Sequence, residues 1–198
     1  MSKTGIIILA AGNSSRMGEP KQLMMYNNKT FLQHIIAESK NALLDPVICV
    51  TGYESDLISE SISGMEVSIV YNEYWSEGMG SGISAGIKQL LLSDVDSVIL
   101  TVSDQPYVTS DLFGTMLKMK VRSGKRIVAC SYAGTLGTPV LFSKEYFNQL
   151  KSLSGNQGAK NIVKLNLPDV CSVEFEKGEI DIDTKEDYKN LISENDTL

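Results

Sequence analysis

Short β-branched runs alternate with amphipathic segments along almost the whole chain, and this alternation restricts the fold more than any other feature. Gly5-Ile6-Ile7-Ile8-Leu9, Val47-Ile48-Cys49-Val50, Val67 to Tyr71 and Val98-Ile99-Leu100-Thr101-Val102 are largely apolar on consecutive positions. A strand of that kind is buried on both faces, which requires a mostly parallel sheet covered by helices on either side. The segments between them have helical spacing. Leu32, Ile35, Ile36 and Leu43 fall on one face, Leu57, Ile58 and Ile62 mark a second helix, and a third is expected from about Ser84 to Leu92. Thr30 with Gln33 three residues on has the form of a capping box. The last third is less regular: a helix near Asp111 to Met119, strands at Ile127 to Cys130, Gly137 to Phe142 and Val173 to Phe175, and a final helix. The pattern predicts an α/β fold with a mostly parallel central sheet.

With 198 residues and 42% of them hydrophobic, the chain can bury one substantial core. One domain is expected over residues 1–193, with 194–198 as a frayed tail. The formal charge of -6 and the lack of any lysine and arginine run argue against a nucleic-acid stripe. Cys49, Cys130 and Cys171 are odd in number and far apart, fitting neither a disulfide framework nor a zinc site with paired ligands. Cys49 and Cys130 sit in apolar runs and read as core. Met1-Ser2-Lys3-Thr4 leads straight into a strand-like run without the features of a signal peptide. Nothing approaches the roughly 20 apolar residues of a membrane span. A cytoplasmic protein without membrane contact is expected.

The loop after the first strand carries the chemistry. In open α/β sheets ligands bind beyond the carboxyl ends of the strands, where backbone amides and helix N-termini attract anions. Gly12 and Gly18 have five residues between them with no Lys-Ser/Thr following, so the loop is not a P-loop, and GxGxxG is absent. Instead, the small residues Ala10, Ala11 and Gly12 let amides approach an oxygen, and Arg16 and Lys21 follow. On one reading, amides from Ala11 to Ser14 and the Arg16 guanidinium hold β- and γ-phosphates while Lys21 neutralises the α-phosphate. On the other, the segment is a glycine turn with solvated basic residues.

The whole string resembles a known signature. Leu9-Ala10-Ala11-Gly12, then Asn13, Ser14 and Ser15, then Arg16-Met17-Gly18 and Lys21, is similar to the motif of nucleotidyltransferases related to the molybdenum-cofactor cytidylyl- and guanylyltransferases. The resemblance implies a three-layer, Rossmann-like nucleotidyltransferase fold, its sheet mixed in direction near the carboxyl-terminal edge, and a nucleotide site at Leu9 to Ser14. Ser103-Asp104-Gln105-Pro106, which alone could be an ordinary turn, resembles the family's Asp-Gln-Pro. It implies Asp104 as a nucleotide and Mg²⁺ ligand, suited to a hard cation that shares its shell with phosphates and water. Asn72 to Gly82 is similar to the family's Asn-x-x-Trp-x-x-Gly-Met stretch, implying base recognition by Gly80, Ser81 and Gly82, with Trp75 and Met79 as packing.

Further motifs follow in the family's order. Gly137-Thr138-Pro139-Val140-Leu141-Phe142 resembles the Gly-x-Pro-x-x-Phe segment near the acceptor, implying roles for Gly137 and Pro139. Gly155 to Lys160 resembles Gly-Asp-x-Gly-Ala-Arg, with Asn156 in place of the acid and Lys160 in place of arginine, a cation without the bidentate fork. Asp181-Ile182-Asp183-Thr184 resembles Asp-Ile-Asp-Thr, implying Asp183, or alternatively Asp181 on the same strand face, as a second metal ligand. Thr184 and Asp187 also read as a cap for the last helix. His34, the only histidine, lies off its helix's apolar stripe and is expected in solvent.

The resemblance implies attack by an acceptor phosphate on the α-phosphorus of a nucleoside triphosphate, with Arg16, Lys21 and Asp104 as the catalytic groups and Mg²⁺ as cofactor. Positioning and charge neutralisation carry such a transfer. Ala10-Ala11-Gly12, Gly78-Met79 and Asp-Ile-Asp-Thr look more like the cytidylyl branch, implying CTP and molybdopterin, with transient contact to an enzyme that receives the cofactor. A sugar or alditol phosphate is the alternative acceptor. A nucleotide-binding chaperone or sensor without turnover is the non-enzymatic alternative.

Overall fold

A computed structural model describes the backbone of residues 3–15 and 17–195, with side chains as far as residue 193. Arg16 and residues 196–198 of the expected tail lie outside the described residues. The chain begins with β1 (Thr4–Leu9), a short hairpin of β2 (Met25–Tyr26) and β3 (Lys29–Thr30), then α1 (Phe31–Asn41), β4 (Val47–Thr51) and α2 (Ser55–Ser61). It continues through β5 (Ser68–Tyr71), α3 (Met79–Leu90), β6 (Ser97–Val102), α4 (Ser110–Ser123), β7 (Ile127–Tyr132) and β8 (Thr135–Ser143). The last elements are α5 (Phe147–Lys151), α6 (Lys160–Leu165), β9 (Val170–Glu174) and α7 (Lys185–Asn195).

Seven strands form one sheet in the order β5-β4-β1-β6-β8-β7-β9. β5, β4, β1 and β6 run parallel, and β8 is antiparallel to both β6 and β7. β9 then pairs parallel with β7. The direction therefore breaks where the sequence becomes irregular. Pro139 sits in β8 where the pairing with β7 slips between Ala129 and Cys130, a position where a residue without an N-H removes no ladder bond.

Alternation along the strands divides the core into two layers. Ile6, Ile8, Cys49 and Ile99 meet Leu32, Ile35 and Ile36 of α1, Ile58 of α2, and Phe113 and Met116 of α4. Ile7, Ile48, Val50 and Leu100 meet Ile83 and Ile87 of α3, Leu150 of α5 and Ile162 of α6. Each wholly buried aliphatic or aromatic side chain contributes about 1.5–3 kcal/mol. Cys49 and Cys130 lie in this interior, where burial pushes each thiol up to about 12. A third cluster of Met17, Tyr26, Phe31, Ile182 and Leu191 fastens α7 against the first loop and the hairpin.

The capping box forms as expected: Thr30 Oγ1 accepts from the Gln33 amide at 3.1 Å, and Gln33 Oε1 accepts from the Thr30 amide at 3.0 Å. Other expectations are corrected. Leu43 is 89% exposed, because α1 ends at Asn41 and the chain turns there with φ of 58°. His34 is half-buried, with Nε2 3.1 Å from the Val108 carbonyl and its ring edge-on to Tyr26. α3 starts at Met79, not near Ser84, since Gly80 and Gly82 weaken its sequence signal without preventing the helix. Asp181 and Asp183 lie on an irregular connection before α7 and not on a strand.

Candidate active site

β1 ends at the edge of the sheet that also receives the carboxyl ends of β4 and β6. The Ala10 amide still donates to the Val50 carbonyl at 2.9 Å, so the chain leaves the sheet only at Ala11. Among the described residues, none of the amides from Ala11 to Ser14 donates to a backbone carbonyl. A run of N-H groups without backbone acceptors suits an anion. Gln22, which is 1% exposed, pins it from inside by donating to the carbonyls of Ala10 at 2.9 Å and Gly12 at 3.1 Å. Ser14, at a positive φ of 49°, accepts from the Lys21 amide through its hydroxyl and from the Met17 amide through its carbonyl.

The loop thereby brings Lys21 back over the sheet edge. Its ammonium donates to Asp104, two residues beyond β6, and to Asp183 Oδ1 at 2.8 Å. Side-chain exposure is 16% for both Lys21 and Asp104, and 38% for Asp183. Burial alone would lower the lysine pKa, but attraction and hydrogen bonds to Asp104 and Asp183 together outweigh it and hold the ammonium above its ordinary value. The Lys21 ammonium is therefore fully charged at neutral pH. Asp183 is delivered by the connection to α7: the Ile182 amide donates to the Asp104 carbonyl at 3.1 Å and the Ile182 side chain is wholly buried. Asp187 Oδ2 accepts from the Thr184 amide and hydroxyl, each at 2.8 Å, and Thr184 Oγ1 accepts from the Asp187 amide, which forms the expected cap. Asp181 is exposed as a residue, yet partial desolvation and then repulsion from Asp104 raise its carboxyl to about 6.

Asp104 Oδ1 is buried with no hydrogen-bond partner. An orphaned carboxylate oxygen next to a second carboxylate fits a hard cation with few protein ligands. Among the described residues no cluster of three or more histidine, cysteine or acidic side chains is disposed to hold a metal. An ion held here would draw most of its shell from phosphate oxygens and water.

Lys21 and Asp104 line a cavity of about 300 Å³ together with Ala11, Gly12, Asn72, Trp75, Gly78 and Gly82. Leu9 and Met79 separate it from a second hollow of about 240 Å³, lined by Tyr132, Leu136, Gly137, Thr138, Ala159 and Lys160. The sequence pattern of the MobA-like NTP transferase domain family matches residues 6–170. The chain belongs to that family.

Members and neighbours agree with the architecture. The molybdenum cofactor cytidylyltransferase of Escherichia coli (strain K12) is 29% identical over 193 residues, covering 95% of each chain. The purine catabolism protein PucB of Bacillus subtilis (strain 168) is 26% identical over 193 residues, covering 92% of each. The crystal structure of Rv0371c from Mycobacterium tuberculosis H37Rv superposes with a TM-score of 0.80 at 25% identity, covering 98% of this chain and 99% of that one. By family and fold the chain is a nucleotidyltransferase with the three-layer α/β architecture expected of it.

Within this transferase the expected site residues divide by position. Leu9, Ala11, Gly12, Lys21, Gly82 and Asp104 border the first cavity. Ala10 is buried beneath it, while Asn13 is exposed on the loop. Gly80 and Ser81 are turned away. A Cβ on Gly80 would lie 2.6 Å from the Ser154 carbonyl oxygen, and the Ser81 hydroxyl lies within hydrogen-bond distance of the carbonyls of Tyr74 and Gly78, its one proton shared between them. Gly137 and Lys160 line the second hollow. Pro139 is buried in β8, and exposed Asn156 abuts Gly78, whose added Cβ would lie 2.3 Å from Asn156 Oδ1.

Sequence reasoning missed Gln22, and it placed Asn72 in a motif without giving it a role. A glutamine directly after the motif lysine was the available signal for the first. Asn72 donates to Ser81 Oγ at 2.8 Å and accepts from the Tyr74 amide at 3.1 Å, fixing the turn that carries Trp75 to the cavity. Trp75 packs across Gly52 and edge-on to Tyr53, in keeping with a packing role. Met79 is instead 50% exposed as the wall between the two hollows.

Proposed function

We propose that this protein transfers the cytidylyl group of CTP to the phosphate of molybdopterin, with Mg²⁺ as cofactor and release of pyrophosphate. The observation that carries the reading is the convergence of Asp104 and Asp183 on Lys21, which lines the first cavity together with Asp104, near the loop whose amides from Ala11 to Ser14 donate to no backbone carbonyl among the described residues. The amides and Arg16 would hold the β- and γ-phosphates, and Lys21 the α-phosphate. Asp104 and Asp183 would hold Mg²⁺, which supplies charge neutralisation as the triphosphate reacts. The base would lie against Gly82, Gly78 and Trp75.

Gly137, Pro139, Asn156 and Lys160 would frame the acceptor, Lys160 attracting its phosphate. The hollow beneath them is walled by Leu9, Met79, Leu100 and Leu136, a surface that suits a ring system better than a polyol. The cytidylyltransferase among the relatives supports CTP. In-line attack then needs little beyond positioning and fixed positive charge.

A thermal-shift screen of the four common nucleoside triphosphates with Mg²⁺ tests the base, followed by a pyrophosphate-release assay with molybdenum cofactor. A stabilising response to CTP and release of pyrophosphate are expected. Release with a sugar phosphate instead would replace the acceptor, and tight binding without release under any nucleotide would favour a chaperone or sensor.

A further inference from the structure

Lys21 stands between the same two carboxylates that are best disposed to take a divalent ion, and an ammonium and a metal cannot share that position. It donates to Asp104 and, at 2.8 Å, to Asp183 Oδ1, from surroundings that leave only 16% of its side chain exposed. The match is incomplete. Asp104 Oδ1 remains buried without a partner, so the lysine satisfies one carboxylate oxygen and leaves the other unpaired. On the same loop, among the described residues, none of the amides from Ala11 to Ser14 donates to a backbone carbonyl, and Lys21's own amide is fixed by the Ser14 hydroxyl. A triphosphate bound on those amides would give the ammonium new oxygen partners while the main chain of Lys21 stays in place.

We propose that Lys21 is a stand-in cation: it occupies the metal position and holds Asp104 and Asp183 together while the nucleotide site is empty, and it releases them when a triphosphate takes the ammonium. The inference rests on the nucleotidyl-transfer reading of the site. It predicts an order of assembly in which the divalent ion enters with the triphosphate or after it. The metal affinity of the empty protein is reduced by the fraction of time that the lysine fills the position. By linkage, whatever draws Lys21 away strengthens metal binding, and the metal strengthens triphosphate binding equally.

Mn²⁺ alone is the probe, its binding to nucleotide-free protein counted by electron paramagnetic resonance or titration calorimetry. Lys21→Met and Lys21→Gln should each bind one Mn²⁺ at least about tenfold more tightly than the unsubstituted chain. Adding Asp104→Asn to Lys21→Met should abolish the gain. Lys160→Met, which removes a positive charge at the neighbouring hollow, should leave the affinity unchanged, separating occupancy of one position from general electrostatics. Mn²⁺ should also raise the melting temperature of Lys21→Met more than that of the unsubstituted protein, so a weakened variant still answers. Unchanged affinity in both Lys21 variants, an equal gain in Lys160→Met, or a variant that stays unfolded in saturating Mn²⁺ would each overturn the inference. Unchanged Mn²⁺ affinity with an intact nucleotide response defeats the stand-in role alone, whereas the lack of any nucleotide response defeats the transferase reading.

Discussion

Asp104 has two duties in this molecule, one visible in the structure and one inferred for the reaction. It pairs with Lys21 through one oxygen while the other is unpaired in a buried position. Asp104→Asn keeps the shape and removes the charge. Pyrophosphate release should fall at least about 100-fold, the scale of losing one preorganised charge-stabilising group. Stability should fall by only about 1–3 kcal/mol, because Lys21 retains Asp183. A melting curve and a turnover assay on the same preparation separate the two effects, and turnover within tenfold of the original would remove Asp104 from the reaction. The cysteines make a contrasting case. Buried in the sheet, Cys49 and Cys130 stay protonated until about pH 12, so a thiol reagent at pH 8 should modify at most Cys171 in the native protein and all three in guanidinium. The folded state holds these two protons more tightly than the unfolded chain does. Stability should therefore decline as pH rises from about 9 towards 12, with fewer protons bound in the unfolded state across that window.

At the scale of elements, the sequence was most informative where packing is two-sided. The runs that became β1, β4 and β6 are apolar on consecutive residues because helices cover both faces. Once those strands were parallel, the loops holding Lys21 and Asp104 had to share one edge of the sheet. Asp183 was legible as a motif member but not as a position: it lies on an irregular connection fixed by the Ile182 amide and by the buried Ile182 side chain, neither of which has a periodic signature. The start of α3 was hidden for the opposite reason. Gly80 looks like flexible loop or ligand approach, whereas its missing side chain lets the 154–157 segment lie directly on the helix, with the Gly80 amide donating to the Gly155 carbonyl at 2.9 Å. An added Cβ would come within 2.6 Å of the Ser154 carbonyl oxygen and 2.7 Å of the Gln157 carbonyl oxygen, both backbone atoms. Gly80→Ala should cost about 1–3 kcal/mol and displace the segment carrying Asn156 and Lys160. Steady-state kinetics should then show a raised KM for the acceptor with a smaller change for the nucleotide; an equal rise for both would place Gly80 at the nucleotide after all.

Across the whole molecule, the candidate site draws together groups remote in the chain, Lys21 lying 83 residues from Asp104 and 162 from Asp183. Only the assembled sheet, with Ile182 of the connection and Leu191 of α7 docked onto Met17 and Phe31, holds them in place. A ligand touching all three segments has no equivalent site on the unfolded chain, so its binding energy adds directly to global stability. With CTP and Mg²⁺ near 100 times the dissociation constant, the gain should be about 2.7 kcal/mol. For a chain of this size that corresponds to roughly 5–11 °C in melting temperature. The two ligands should not act independently. The triphosphate removes the ammonium from between the carboxylates, and the metal neutralises the phosphates that would otherwise repel Asp104 and Asp183. Their joint shift should therefore exceed the sum of the shifts with CTP in EDTA and with Mg²⁺ alone. Additive shifts would mean that nucleotide and metal bind at separate positions, leaving the Lys21 and carboxylate cluster as a structural tie between the first loop and the last helix.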